Sequence, residues 1–379
     1  MAESKIISDD ELPDLPTELC REILSRLPAK TLMRFRCVCK TWCSLIDSSD
    51  FIPFHLQIYN NNRSQTYLLA ADWGKRYSIH SSDTLGKIDV LVKIPDYCFV
   101  LGSCYGLILI RYFSVNIIGL YNPFIRKLWL IPSWPFISIK HNFLHYWLGF
   151  VPSMNDYKLL AIGFIKSTEY SIAVYSLNDH LWRIKDRLDV HIQGILSFYL
   201  GNVIHLKGSM YCIGFDWYSS DPASGLQTHL ASFDFDLEEF GFVELPDAAK
   251  QNKVKFNFVL GESIAVFSMS SEHTCIWVLI EVGGQKSWQL WYNGDSNLTA
   301  LQFFKSSTFT KIFHVEENTF FVQRSPNLYS YNFRSHLIQH LNIDGCKSLE
   351  TFVESLVLHK GNQGKNLSHE TDFIQINGE

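Results

Sequence analysis

Charge is scarce in this chain. Of its 379 residues 19% are charged, and 33 basic against 38 acidic side chains leave a formal net charge of -5. That balance excludes a broadly basic nucleic-acid binder. One local cluster, Lys250, Lys253 and Lys255 with Phe256 and Phe258 nearby, reads as a solvated loop between structural units rather than a single-strand-binding surface. Long hydrophobic runs are missing too. Leu107 to Ile110 and Val259 to Phe267 are broken by Arg111 and Glu262 and fall short of the roughly 20 residues a membrane helix needs. The first residues carry Asp9, Asp10, Glu11 and Asp14 and no apolar stretch of the kind a secretory leader has, so the expectation is an intracellular protein, in cytoplasm or nucleus, without a membrane. Without secretion, the N-x-S/T triplets at Asn62, Asn297 and Asn366 read as chance. Nine cysteines do not make a disulfide-packed secreted module. Cys37, Cys39 and Cys43 lack a second Cys/His pair nearby, so buried small hydrophobes are expected there rather than zinc ligands.

Catalytic constellations are equally sparse. Ser103-Cys104-Tyr105-Gly106 lacks the frame of a nucleophile elbow and reads as a turn. His141 and His145 are four apart without the glutamate of a zinc protease, and a loop or insertion is the better reading. Asp234 and Asp236 share a strand face, so they suit a solvated edge or a turn better than an acid-base pair. Gly283-Gly284, Gly208 and Gly225 do not form a phosphate-cradling spacing. No cofactor is implied.

What the chain has is aromatic residues, 15% of the total, and a change of character near residue 60. From Leu15 to about Ile58 the pattern is helical. Asp14 can cap a first helix starting at Pro16 or Thr17, Leu19, Ile23 and Leu27 recur every four residues, Leu24 widens the stripe, and Pro28 terminates it. A second helix carries Leu32, Met33 and Phe35, and a third carries Val38, Cys39, Trp42, Leu45 and Ile46 on one face. Residues 51 to 56 fit either a helix or an extended segment. So small a unit needs a partner to bury its apolar surface, and the surplus apolar residues serve either a docking face or contact with the following domain.

The run LPTELCREILSRLPAKTLMRFRCVCKTWCSLIDSSDF, residues 15 to 51, resembles an F-box, the adaptor-binding module of ubiquitin-ligase receptors. The features that carry the likeness occur in order: Leu15-Pro16, Ile23-Leu24, Leu27-Pro28, Leu32 with Arg34-Phe35-Arg36, Val38-Cys39-Lys40, and Trp42. The resemblance implies a Skp1-type adaptor that bridges to a cullin-1-type scaffold. It makes Leu15, Pro16, Ile23, Leu24, Leu27, Pro28 and Leu32 the adaptor-facing residues, with Arg36 and Lys40 as rim charges and Trp42 in the helical core.

Residues 65 to 358 consist of short runs rich in Val, Ile, Phe, Tyr and Trp, punctuated by Gly, Asn, Asp, Ser and Pro, which is all-β composition. Hairpin endings at Ile94, Leu130, Ile184, Leu245, Leu290 and Leu341 are separated by 36, 54, 61, 45 and 51 residues. Such spacings bracket the roughly 40 to 50 residues of a propeller blade and predict about six blades, with a sandwich or barrel as the alternative. The segments Tyr121-Asn122-Pro123, LGFVPSMNDYKLLAI, VYSLNDHLWRI, GNVIHLKGSMYCI, SFDFDLEEFGFVELP, IWVLIEVGGQKSWQL and FVESLVL resemble the F-box-associated domain of plant F-box proteins, a group that includes S-locus and kelch-like receptors. The paired glycines of typical kelch blades are absent, so only a propeller-like architecture carries over.

The expected organisation is therefore a multidomain α and β chain: a helical adaptor-binding domain over 11–58, an all-β domain over 65–358, and a flexible tail over 359–379. The implied role is noncatalytic capture of a protein target, which in the S-locus branch would be a secreted ribonuclease. Two other readings stay open, an adaptor-bound receptor for a glycan or small ligand and a hydrolase with a dispersed site. Trp73, Trp134, Trp147 and Trp217 suit target anchors or core packing equally.

Overall fold

The computed structural model describes residues 15–61, 66–71, 77–82, 85–88, 98–112, 117–135, 143–166, 169–185, 203–215, 227–252, 254–305, 310–316, 318–324, 327–341, 343, 348–358 and 365–366. Asp14, Trp73, Ile94, His141, Trp217, Gly225 and Lys253 lie outside them.

Prolines punctuate the helical unit. Pro16 opens α1 (Thr17–Ser25) with no side-chain cap, and its carbonyl accepts the N–H of Cys20 at 3.0 Å. The helix closes before Pro28 is reached, because the N–H groups of Arg26 and Leu27 turn back onto the carbonyls of Ile23 and Leu24. Pro28 begins the next element instead. Its carbonyl accepts from Thr31 and Leu32 at the start of α2 (Ala29–Phe35), a position where a missing N–H costs nothing. In α3 (Lys40–Ile46) the cap is Cys39, whose Sγ accepts the N–H of Trp42 at 3.4 Å. Cys37 and Cys39 are exposed, so the expectation of buried small hydrophobes fails for these two: one is a helix cap and the other sits in the turn before it. Residues 51 to 56 are helical, within α4 (Phe51–Asn61).

The rest is six antiparallel sheets met in chain order. Blade 1 contains β1 (Thr66–Ala71), β2 (Tyr77–Ser81) and β3 (Lys87–Ile88), and blade 2 β4 (Cys98–Cys104), β5 (Leu107–Tyr112), β6 (Ile118–Asn122) and β7 (Lys127–Leu130). Blade 3 follows with β8 (Phe143–Val151), β9 (Asp156–Lys166), β10 (Glu169–Ser176) and β11 (Leu181–Lys185), and blade 4 with β12 (Ile204–Leu206), β13 (Ser209–Phe215), β14 (Gln227–Asp234) and β15 (Glu239–Glu244). After α5 (Asp247–Lys250) comes blade 5, β16 (Val254–Leu260), β17 (Ser263–Met269), β18 (His273–Val282) and β19 (Gln285–Asp295). Then α6 (Leu298–Lys305) leads to blade 6, β20 (Thr310–Glu316), β21 (Thr319–Arg324), β22 (Asn327–Asn332) and β23 (Ile338–Leu341). Finally β24 (Ser348–Val353) returns to pair antiparallel with β1, from Thr66 opposite Val353 to Ala71 opposite Ser348, and supplies the inner strand that blade 1 lacks. Inner strands neighbour one another around the ring, β24 beside β4, β4 beside β8, β12 beside β16 and β16 beside β20. The architecture is a six-bladed propeller closed by its last strand, and the sandwich and barrel alternatives fall. Leu130, Ile184, Leu290 and Leu341 lie on outer strands as the spacing predicts, with Leu245 immediately after one.

Aromatic residues fill the gaps between blades. Phe267 of blade 5 lies 5.6 Å from Phe320 and 6.2 Å from Tyr331 of blade 6, with Phe304 of α6 wedged against it at 5.6 Å. Charge joins blades 3 and 4: the carboxylate of Glu238 accepts from Lys158 at 3.0 Å, from Lys185 at 2.7 Å and from Arg183. Burial opposes that carboxylate's charge, but the three cationic donors outweigh it and hold the group down to about 2.

Several expectations change here. Lys255 is not in a solvated loop: it lies on inner strand β16, is buried, and donates to the carbonyl of Lys250 at 2.7 Å. Burial lowers its ammonium to about 8. Lys250 is neutralised by Glu244 and by Asp247 at 2.8 Å. His145 belongs to strand β8, not to a loop, and stacks on Trp147 at 5.7 Å. Trp134 is buried, edge-on to Tyr146 and Trp182. Asp234 takes the turn role, its Oδ1 accepting from the N–H groups of Asp236 and Leu237. Tyr105 and Gly106, both at positive φ, form the tight turn between β4 and β5. The tail is not free throughout, since β25 (Lys365–Asn366) adds to blade 2 beside β7.

Candidate functional site

The chain reverses at every strand of a blade, so its first and third turns share one end of the propeller, and its second turn shares the other end with the link to the next blade. The helical unit sits on the first-and-third-turn end, at blade 2. Leu24, Ala29, Leu32, Ile46 and Phe51 form one buried cluster with Leu356, which follows β24, and Phe124 and Ile125 from the β6–β7 turn pack against it. Glu354, buried at the same place, accepts the N–H of Lys30 at 3.3 Å and so satisfies the N-terminal turn of α2, which has no cap of its own. Burial raises the Glu354 carboxyl, against the lowering effect of the Lys30 and Ala29 N–H groups.

The segment carrying Glu354 and Leu356 is itself stitched to blade 2. The Nδ2 of Asn122 donates to the Ser355 carbonyl at 2.9 Å, to its Oγ at 3.0 Å and to the Val357 carbonyl at 2.9 Å. Ser355 Oγ donates to the carbonyl of Gly106 at 3.2 Å, and a side chain at Gly106 would overlap Ser355. One short stretch therefore closes the ring and seats the helical unit.

On the side away from the propeller α1 shows an apolar face. Leu15 is 57% exposed, Leu19 47% and Ile23 53%, and Pro16 is exposed beside them. Leu27 is half-buried and Pro28 exposed at the edge. Leu24 and Leu32, expected to face the adaptor, are 1% and 0% exposed because they point into the cluster shared with Leu356. They hold the face in place from beneath. Arg36 is a further correction. It is engaged with Asp47 through two bonds, 2.6 and 2.9 Å, and this paired acceptor raises its guanidinium above the ordinary value despite burial. Its charge serves the unit's own cohesion rather than a rim, whereas Lys40 is exposed. Trp42 packs on Phe35, ring centroids 5.2 Å apart, in the helical core.

The chain matches two family models, one described as an F-box domain over residues 12–54 and the other as an F-box associated beta propeller domain over residues 62–357. This chain is an F-box protein of the F-box associated beta propeller family. Relatives from Arabidopsis thaliana agree. A probable F-box protein is 28% identical, covering 74% of this chain and 68% of its own length, and an F-box/kelch-repeat protein is 26% identical over 73% and 78%. F-box protein CPR1 is 24% identical and spans nearly both chains, 91% and 89%. Among the described residues no helix of this F-box protein is long and apolar enough to cross a membrane.

Sequence reasoning missed His55 and Glu354. His55 is fully buried in α4, and its Nε2 lies 2.9 Å from the carbonyl of Leu27, which α1 leaves without a helical partner. Burial lowers its imidazole to about 4, against the raising effect of that carbonyl, so the ring is neutral. A single glutamate inside the apolar run FVESLVL was the available signal for Glu354, since an inward charge demands a donor.

Two outcomes follow. His55 binds a proton near pH 6.5 in the unfolded chain but only near 4 in the fold, so stability is complete above pH 6.5 and falls as pH drops from 6.5 toward 4, by up to about 3 kcal/mol. Urea unfolding across that range, with His55→Gln flattening the slope, is the check; an equal slope in both proteins contradicts it. Glu354→Ala removes the acceptor at α2 and costs about 1 kcal/mol, read as lost amide protection at residues 29–32, whereas Glu354→Gln keeps an oxygen there and keeps the protection.

Proposed function

We propose that this F-box protein is the substrate-recognition subunit of a Skp1-cullin-F-box ubiquitin ligase. A Skp1-type adaptor docks on the exposed face of α1, and a cullin-1-type scaffold is joined through that adaptor. The observation that carries the reading is the separation of the two sides of α1: Leu15, Leu19 and Ile23 are exposed while Leu24 is locked against the propeller. Leu15, Leu19 and Ile23 recur every four residues on one face and so form a contiguous patch rather than scattered exposures, the kind of surface that marks a protein contact. Leu15, Pro16, Leu19 and Ile23 form the centre of the contact, Leu27 and Pro28 its edge, and Lys40 a rim charge that orients the encounter.

The protein target binds at the opposite end of the propeller. The helical unit occupies the first end, and the second turns of the blades meet at the other together with the described links α5 and α6. Loops on a rigid scaffold are where recognition is most readily varied. The chain supplies no nucleophile in this scheme. Holding the target and the adaptor-bound machinery on one rigid body raises the local concentration of target lysines near the ubiquitin donor. The working compartment is cytoplasm or nucleus. The test is co-purification of the full chain with a Skp1-type adaptor: a stable one-to-one complex is expected, and its absence with folded chain contradicts the assignment.

A further inference from the structure

Blade 5 breaks the pattern of the other five at its outer edge. Among the described residues the outer strands β3, β7, β11, β15 and β23 run for 2, 4, 5, 6 and 4 residues, but β19 runs for 11. Propellers ordinarily leave only short, protected edges, since a long free edge is a template for another strand. The edge of β7 is covered by β25, whereas among the described residues no strand covers β19. Near its middle β19 exposes Leu290 and Trp291, 44% and 47% accessible.

The backbone phase of β19 suits one particular occupant. Val282 and Gln285 flank the two-residue turn Gly283-Gly284 and so exchange both backbone bonds, as does every second pair after them, Ile280 with Ser287 and Val278 with Gln289. The backbone groups of Lys286, Trp288 and Leu290 therefore point away from β18. A register shift between Ile276 and Trp277 inserts Trp291 as an extra residue, after which Asn293 and Asp295 take the outward phase. A second β19 laid antiparallel, with its two-fold axis between Leu290 and Trp291, sets outward groups against outward groups on either side of the bulge. It puts Lys286 opposite Asp295 of the second copy, Trp288 opposite Asn293 and Leu290 opposite Trp291, each pair formed twice. Among the described residues neither Lys286 nor Asp295 makes an ion pair within its own chain.

We infer that the β19 edge is a self-association surface, at which two copies of this chain join their blade 5 sheets through antiparallel β19 pairing. Blade 5 stands three blades from blade 2 in a six-blade ring, on the far side from the helical unit, so the contact leaves both α1 faces open. The pairing doubles the number of target-binding ends in one assembly.

Sedimentation equilibrium of the purified full chain tests this, with three variants whose substituted side chains are exposed on β19. The expected result is a dimer that Lys286→Glu and Asp295→Lys each weaken about tenfold, since each turns two cross-strand attractions into repulsions. The double variant, with both charges exchanged, regains the parent affinity. A chain that stays monomeric at every concentration overturns the inference, as it would if the edge served another protein's strand. A dimer indifferent to the single variants, or one the double variant fails to restore, overturns it equally.

Discussion

Leu19→Asp with Ile23→Asp removes adaptor binding, with affinity falling at least about a thousandfold, while the melting temperature stays near that of the parent. Both side chains are half exposed in the free chain, so in the complex each loses most of its remaining contact with water, a contribution of about 0.8 to 1.5 kcal/mol per residue, half that of burying such a side chain outright. A carboxylate in the same place must also be stripped of water with no partner, which adds to the loss. The fold does not register the change, because neither position belongs to the buried cluster formed by Leu24, Leu32 and Leu356. Leu24→Asp is the contrasting control: it removes binding by collapsing the helical unit, and its melting temperature drops. Isothermal titration with a Skp1-type adaptor and calorimetric melting of the same samples separate the two effects. Tight binding by the double variant would place the adaptor on some other surface.

Truncation before Ser348 abolishes the native fold rather than weakening it. Without β24 the inner edge of β1 loses its partner from Thr66 to Ala71, and the ring opens between blades 1 and 2. Asn122 keeps a buried amide whose acceptors, Ser355 and Val357, are gone. Leu356 leaves the helical cluster, a cavity of the kind that costs about 2 to 5 kcal/mol for one leucine reduced to alanine. Each loss alone is a large part of a domain's net stability, commonly about 5 to 15 kcal/mol. Circular dichroism and proteolysis of the truncated chain check this, and a cooperative melt within a few degrees of the parent would contradict it. Restoring residues 348–358 as a separate peptide should recover part of the structure.

How far the fold could be read from sequence depended on how local each signal was. Helical spacing placed α1 and the prolines bounding it, and hairpin endings 36 to 61 residues apart fell on four outer strands, at Leu130, Ile184, Leu290 and Leu341. Which side of α1 meets solvent was not local. Leu24 is adjacent to Ile23 and equally apolar, and only the cluster with Leu356, more than three hundred positions away, decides that one turns inward and the other outward. The same applies to Arg36, whose partner Asp47 lies at the far end of α3, and to Lys255, which is buried on inner strand β16 although its sequence neighbours look like a basic loop. The closing strand β24 has the composition of any other strand; nothing in residues 348–353 announces that their partner is the first strand of the chain.

In the proposed role one chain joins an adaptor at α1 to a target at the far end of the propeller. Quantitative proteomics of cells expressing either the parent or the Leu19→Asp, Ile23→Asp chain tests it most directly. The predicted result is a protein that coprecipitates equally with both chains, since the propeller is unchanged, but whose ubiquitination is lost and abundance raised only with the variant. If every protein bound by the parent is ubiquitinated to the same extent with the variant, or if binding of the target disappears along with the α1 face, the division of labour between the helical unit and the propeller is wrong.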